Sequence, residues 1–382
     1  MVFVIYNEGA LPTISTASVS HPSFDQGGLL RSAFLFLFKS GTMFHKALLV
    51  LPLFFLASVT FATPLETREA SPGLIDDLLK GTLDAIRQTI KDILAGVKSG
   101  VADGDISSKP LICLSSVDKC CVWWDVSAEL TKRFKETNGQ CNDAARAAIR
   151  FGFHDAGAWD KDTTTGGADG SLMMDFGEID RAENNGLQSV RLLLREVQAK
   201  FKVGYADLAQ YAHNHGTISC PRGPRIRTWV GRKDATGRAP TGKLPDVHDS
   251  PDNLIALFER KGFSAHDLAA LVGAHAAAKQ RFVDTSQAGK PLDTTPGVWD
   301  VEFYNDTLQE PQNPAIFVLP SDKKLSVHPK INDEWVSFVG DQPHWNEDYA
   351  KAYIRMSLLG VTSSELKGLK DCTKTLPKKT NK

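Results

Sequence analysis

A chain of 382 residues with 42% hydrophobic and 23% charged residues is long enough for one large globular domain or two small ones. Its net charge of −1 excludes the polybasic field of a nucleic-acid binder and the acidic run of a disordered tail. From Met43 the chain reads MFHKALLVLPLFFLASVTFA, with His45 and Lys46 as a short basic start, an uncharged apolar run from Ala47 to Phe61, and a small residue at Ala62. That is the layout of a secretory signal peptide, and the run falls short of the about 20 apolar residues a membrane span needs. Residues 1–42 are then an over-extended leader, 43–62 the signal, 63–110 an N-terminal extension and 111–382 the main domain.

Within the extension, Leu74, Leu78, Leu79, Ile86, Ile90, Ile93, Leu94 and Val97 recur at helical spacing. They predict an amphipathic helix over 74–97, whose mixed Asp and Lys face suits packing on the main domain better than on a membrane. Further helices are predicted at 123–136, 142–154, 187–200, 204–215, 251–260, 264–278, 332–339 and 345–358. The segments 216–250 and 281–325, rich in Pro, Gly, Asp and Thr, read as long ordered loops of the kind that function, metals or disulfides hold in place. Strand-like alternation is scarce, so the expected fold is mainly α-helical, with two helices able to sandwich a planar cofactor. The six cysteines Cys113, Cys120, Cys121, Cys141, Cys220 and Cys372 contain no CxxC pair. That argues against a zinc ribbon, and the even count suits three disulfides in an oxidising compartment, with pairing left open among the alternatives.

The chemistry concentrates at Arg150–Phe151–Gly152–Phe153–His154–Asp155. Arg150 and His154 stand one helical turn apart and share a face. Such a pair is often only a surface pairing. Few reactions need a fixed cation beside a neutral imidazole, and splitting the O–O bond of a peroxide on a haem iron is one. Leu271–Val272–Gly273–Ala274–His275 places a second histidine on an apolar helix, where it is either a core residue or the ligand on the iron's other face.

From about 111 to 372 the chain resembles the secreted fungal haem peroxidases, the group of lignin, manganese and versatile peroxidases, and Gly273–Ala274–His275 is shared more widely. The resemblance implies haem b held between a distal and a proximal helical half. It makes His154 the general base and acid, Arg150 the cation that stabilises the departing hydroxide, and Phe153 the distal aromatic residue. Asn184, in Glu183–Asn184–Asn185–Gly186–Leu187, becomes the acceptor that fixes the tautomer of His154. His275 becomes the axial ligand and Asp322, in Leu319–Pro320–Ser321–Asp322, its carboxylate partner, with Leu292 where a phenylalanine is usual near the proximal face.

The resemblance also implies two calcium sites: Asp155, Gly167, Asp169 and Ser171 on the distal side, and Ala276, Asp293, Thr295, Val298 and Asp300 on the proximal side. Ala276 replaces a family Ser or Thr and removes one hydroxyl ligand. Its disulfides are Cys113–Cys121, Cys120–Cys372 and Cys141–Cys220, and Asp333 stands where a cysteine of a fourth family bridge would lie.

The family's manganese site falls on Asp143, Ala147 and Arg281, which retain one acid and add a cation, and its surface tryptophan falls on Ala270. The expected activity is therefore one-electron oxidation of small phenolic or aromatic donors by H2O2, in response to oxidative stress or in breakdown of lignin and other aromatics. The enzyme is expected to be a secreted monomer without nucleic-acid or membrane partners. The competing reading is a catalytically quiet, secreted haem- and calcium-binding interaction protein, which would have no need of Arg150, His154 and Asn184 together. A hydrolase reading has no nucleophile motif behind it. Asn305–Asp306–Thr307 is the single glycosylation sequon, expected in a loop, and the Lys-rich end has no hydrophobic tail to suggest a lipid anchor.

Overall fold

The computed structural model describes residues 74–104 and 107–381; the expected leader and signal peptide, and the extension before Leu74, lie outside them. In chain order the helices are α1 (Leu74–Leu78), α2 (Ala85–Leu94), α3 (Cys121–Phe134), α4 (Asp143–Gly157), α5 (Gln188–Phe201), α6 (Tyr205–Ser219), α7 (Pro251–Glu259), α8 (Ala265–Val272), α9 (Glu302–Leu308), α10 (Pro320–Ser326), α11 (Asn332–Ser337), α12 (Gln342–Met356) and α13 (Ser363–Gly368). The two-residue strands β1 (Trp229–Val230) and β2 (Lys370–Asp371) pair antiparallel, with Trp229 opposite Asp371. The fold is thus mainly helical, and no helix among the described residues is long and apolar enough to cross a membrane.

Local chemistry sets the helix ends. Asn142 caps α4 by accepting from the Ala145 N–H, and Ser250 caps α7 ahead of Pro251 at its first position. Reciprocal capping boxes open α8 (Ser264 with Asp267) and α13 (Thr362 with Glu365).

Three expectations change. The helix over 74–97 is two helices, because Gly81 adopts φ +75° and Asp84 caps a fresh start by accepting from the N–H groups of Ile86 and Arg87. The helix over 264–278 ends at Val272 and tightens into a 3-10 turn, Gly273–Ala277. Gly273 there lies so close to Trp345 that a β-carbon would come within 2.5 Å of its indole nitrogen. The expected loop at 281–325 contains α9 and the start of α10, each seven residues long and too short to display a helical period. The sequon accordingly lies on α9, with Asn305 exposed and Thr307 buried.

α6 is the central strut, with nearly all of its side chains buried. α4 packs on it at close range, with a glycine of each helix at the contact. A β-carbon at Gly152 would lie 2.6 Å from both His213 Cβ and Tyr353 Oη, and one at Gly216 would lie 2.8 Å from the Ala145 carbonyl oxygen. α3 and α5 complete this half. The other half is built around α8, which packs on α7, α10, α11 and α12. Its aromatic core keeps its polar atoms satisfied, with the Trp345 indole donating to Ala270 O (3.0 Å), Trp335 to Tyr304 O (3.1 Å) and the Tyr304 hydroxyl to Ala269 O (3.0 Å).

α2 packs on α12 and α13, with Ile90, Ile93 and Leu94 buried, so this part of the extension is built into the main body. The three disulfides are Cys113–Cys121, Cys120–Cys372 and Cys141–Cys220, as the resemblance implied. Replacing Gly152 by alanine forces the α4–α6 crossing apart and is expected to cost about 1–3 kcal/mol, read as a lower urea midpoint at unchanged slope.

Candidate active site

The last two turns of α4 present Arg150, Phe153 and His154, and the turn Ala182–Gly186 comes up against them. The Asn184 amide has a fixed orientation because its Nδ2 donates to Glu178 O at 2.7 Å. Its Oδ1 therefore faces His154 Nδ1 at 2.9 Å, so Nδ1 carries the proton and donates. The lone pair is left on His154 Nε2, which accepts from Arg150 Nε at 3.1 Å. The rest of the guanidinium is held by the same turn, with Nη1 donating to Asn185 O and Nη2 to Glu183 O, both at 2.7 Å. Burial and the Arg150 charge keep His154 well below the usual histidine range, hence neutral, while desolvation brings Arg150 down to about 10 and leaves it charged at neutral pH. Phe153 stands edge-on to His154 and stacks on Phe258, which fixes its ring.

His275 lies in the 3-10 turn after α8. Its Nδ1 donates to Asp322 Oδ2 at 2.7 Å, and Ser321 Oγ donates to the other carboxylate oxygen at 3.1 Å. Phe303 packs edge-on against the ring, and Leu292, the residue before Asp293, is buried. With Nδ1 occupied, Nε2 is the nitrogen left free to hold a metal. The side chain is 35% exposed although Gly273 and Ala276 are buried, as fits an imidazole presented to a bound group.

Two oxygen-rich pockets carry more negative charge than their protein neighbours balance. In the first, Asp155 is fully buried, accepting from the N–H groups of Gly170 (3.1 Å) and Leu172 (3.3 Å). Burial and the neighbouring Asp169 push its carboxyl well above the ordinary range. Asp169 is raised in turn by burial and Glu178, and Ser171 Oγ is buried without a partner. Gly167 adopts φ +102°, which brings this loop against the Leu359 carbonyl. In the second, Thr295 Oγ1 lies 3.0 and 3.1 Å from the two Asp300 oxygens, and burial with Asp300 pushes Asp293 up to about 8. Asp293 Oδ2 is likewise buried without a partner, and the Val298 N–H donates to Thr295 O at 2.8 Å. Burying a carboxylate costs several kcal/mol unless a cation offsets it, so both donor sets fit a hard divalent cation.

Several contributors left no signal in the sequence. The carbonyls of Glu183 and Asn185 that hold Arg150 are backbone groups. Glu178 acts through its carbonyl on Asn184 and its carboxylate on the Ala239 N–H. Gln210 reaches Asp155 from α6 at 3.3 Å. None of these belongs to a spaced motif.

The peroxidase family model matches residues 126–341. Over 289 residues the chain is 29% identical to a peroxidase of Coprinopsis cinerea, covering 69% of this chain and 77% of the relative. A low-redox potential peroxidase of Taiwanofungus camphoratus is 31% identical, covering 68% and 78%, and manganese peroxidase 3 of Phlebia radiata 31%, covering 63% and 72%. Ca2+ at a hundred times its dissociation constant is expected to stabilise the protein by about 2.7 kcal/mol per site. Thermal unfolding with Ca2+ and with a chelator measures this, and Asp169→Asn and Asp293→Asn should each remove one share.

Proposed function

The chain belongs to the peroxidase family and is a haem-dependent oxidoreductase, and from that premise we propose that it is a secreted enzyme reducing H2O2 to water at the expense of small phenolic or aromatic donors. The observation that carries this reading is the hydrogen-bond order around His154, where an amide of fixed orientation holds Nδ1–H and leaves Nε2 basic beside a charged guanidinium. Haem, when bound, supplies the redox centre through which two electrons reach the peroxide.

His154 Nε2, left basic, would take the proton from one peroxide oxygen and return it to the other, so that the departing oxygen would leave as water. Arg150 faces the negative charge that grows on the departing oxygen. Asn184 and Glu178 act one step back, holding the tautomer. His275 Nε2 would hold the haem iron, and the Asp322 carboxylate on Nδ1–H makes that imidazole a stronger electron donor. Two donor molecules each give up one electron and one proton, and H2O2 becomes two waters.

The donor reading rests on what surrounds Asp143. Lys279 (3.7 Å), Arg281 (3.5 Å) and Arg146 all pair with it, and Ala147 offers no ligand, so a Mn2+ ion would meet three cations and one committed carboxylate. Ala270 is fully buried and its carbonyl accepts from Trp345, so no exposed side chain stands there to relay electrons. Calcium in both oxygen-lined pockets would brace α4 and the turn bearing His275. The three disulfides support an oxidising compartment, and Asn305 is an accessible glycan acceptor.

Mixing haem-loaded ferric protein with H2O2 should change the Soret band rapidly. His154→Leu should slow that change roughly 10²–10⁴-fold. A wild-type protein with no Soret change would defeat the enzyme reading. In steady state, phenols should be oxidised far faster than Mn2+ or non-phenolic aromatics, and comparable rates for all three would refute the donor assignment.

A further inference from the structure

The segment Ala278–Leu292 begins three residues after His275, yet its tip rests on the turn that holds Arg150. It is a braced loop. The Leu292 N–H donates to Ala278 O (3.1 Å), Gln280 N to Lys290 O (3.0 Å) and Gly289 N to Gln280 O (2.7 Å). The Gln280 amide spans the interior to the carbonyls of Asp284 (2.8 Å) and Gln287 (2.6 Å). This bracing fixes the outward pair Arg281–Phe282.

Phe282 is 54% exposed, an unusual position for a phenylalanine on a rigid loop. Its ring seats on Gly186, where a β-carbon would lie 2.8 Å from Phe282 Cε2 and 3.6 Å from Arg150 Nη1. Gly186 has φ +87°, so the backbone and the ring both require glycine there. One face of the same glycine thus meets the ring and the guanidinium bonded to His154. The loop thus runs from the turn bearing His275 to the turn that holds Arg150, which Phe282 touches. Arg146, Lys279 and Arg281 gather beside it around the single carboxylate of Asp143. One anion facing three cations leaves the Asp143 corner of this rim positive, while the carboxylate of Asp284 two residues beyond Phe282 is held by Ser286 and Gln287, and Arg281 is 53% exposed, at 3.5 Å in a pair too open and too long to be strongly committed.

We propose that Phe282 and Arg281 form a donor-docking platform that selects aromatic donors bearing a negative charge, such as carboxylated phenols, over neutral phenols of the same shape. The donor's ring lies against Phe282 and its anionic group faces Arg281, with Lys279 adding to the field. This selectivity rests on the peroxidase reading for its use but not for its measurement, because docking is read without turnover. An offset ring contact is worth a factor of roughly three to ten in affinity, and the charge contribution is partly exposed and so sensitive to ionic strength.

The test uses the haem-loaded protein without peroxide and titrates 4-hydroxycinnamate and its methyl ester by calorimetry. The acid should bind several-fold more tightly than the ester at low salt, and the preference should shrink as salt is raised. Arg281→Glu should abolish or reverse the preference and Arg281→Lys should restore most of it. Phe282→Ala should weaken acid and ester alike, by roughly three- to tenfold. Equal binding of acid and ester by the wild type overturns the proposal, as does a preference that survives Arg281→Glu. If the wild type shows the preference yet gives no Soret change with H2O2, the docking platform stands and the catalytic reading falls.

Discussion

The site depends on one short turn, Ala182–Gly186, and on the direction in which one amide within it points. Asn184 is locked by the Glu178 carbonyl, and that lock decides which nitrogen of His154 carries hydrogen. Two neighbouring carbonyls of the turn hold the guanidinium of Arg150, and its glycine seats the ring of Phe282. Base, cation and rim thus share one backbone segment. A shift of the turn by a fraction of an ångström would disturb all three together, which explains why it is tied back to the body through buried groups.

The heavy structure beneath the turn holds it still. α4 can deliver Arg150 and His154 at the right height only because Gly152 and Gly216 let it sink onto α6. The last turn of the same helix carries Asp155, so the chain anchors the end of α4 that bears His154 in a pocket of buried carboxylates. Alone, such a pocket is destabilising, and with a cation it becomes a rigid brace. The proximal turn sits close in sequence to a second pocket of the same kind, around Asp293 and Asp300. Both histidines therefore lie next to charge that a metal would neutralise.

The sequence was informative where chemistry imposes spacing. Arg150 and His154 share a face because a helix puts every fourth residue there, and the alternating Gly167, Asp169 and Ser171 reflect a loop whose oxygens turn inward. Long helices such as α4, α6 and α12 declared themselves by period, and their ends lie within a few residues of the caps that set them. What the sequence conceals is short or made of backbone. α9 and α10 are too brief to show a period, and the break at Gly81–Asp84 hides inside an unbroken apolar pattern. The carbonyls that grip Arg150 have no residue signature at all. Phe282 carries no sequence signature either, because its contact is with a glycine 96 positions earlier in the chain.

The adjacent cysteines at the start of α3 carry a consequence for how the molecule is made. Cys121 bridges back eight residues to Cys113, whereas Cys120 bridges forward across 252 residues to Cys372. Until the last segment of the chain has been synthesised, Cys120 has no native partner, and Cys113 is one residue nearer in sequence to it than to Cys121. Closing a short loop costs little entropy, so the wrong pairing competes from the moment both thiols emerge. The tail resolves this contest by pairing β2 with β1 and so carrying Cys372 to its place. A chain terminated before that residue would lose more than a stabilising cross-link. It would leave a thiol beside a disulfide, free to exchange with it, and the fidelity of the first bridge would depend on the arrival of the last cysteine.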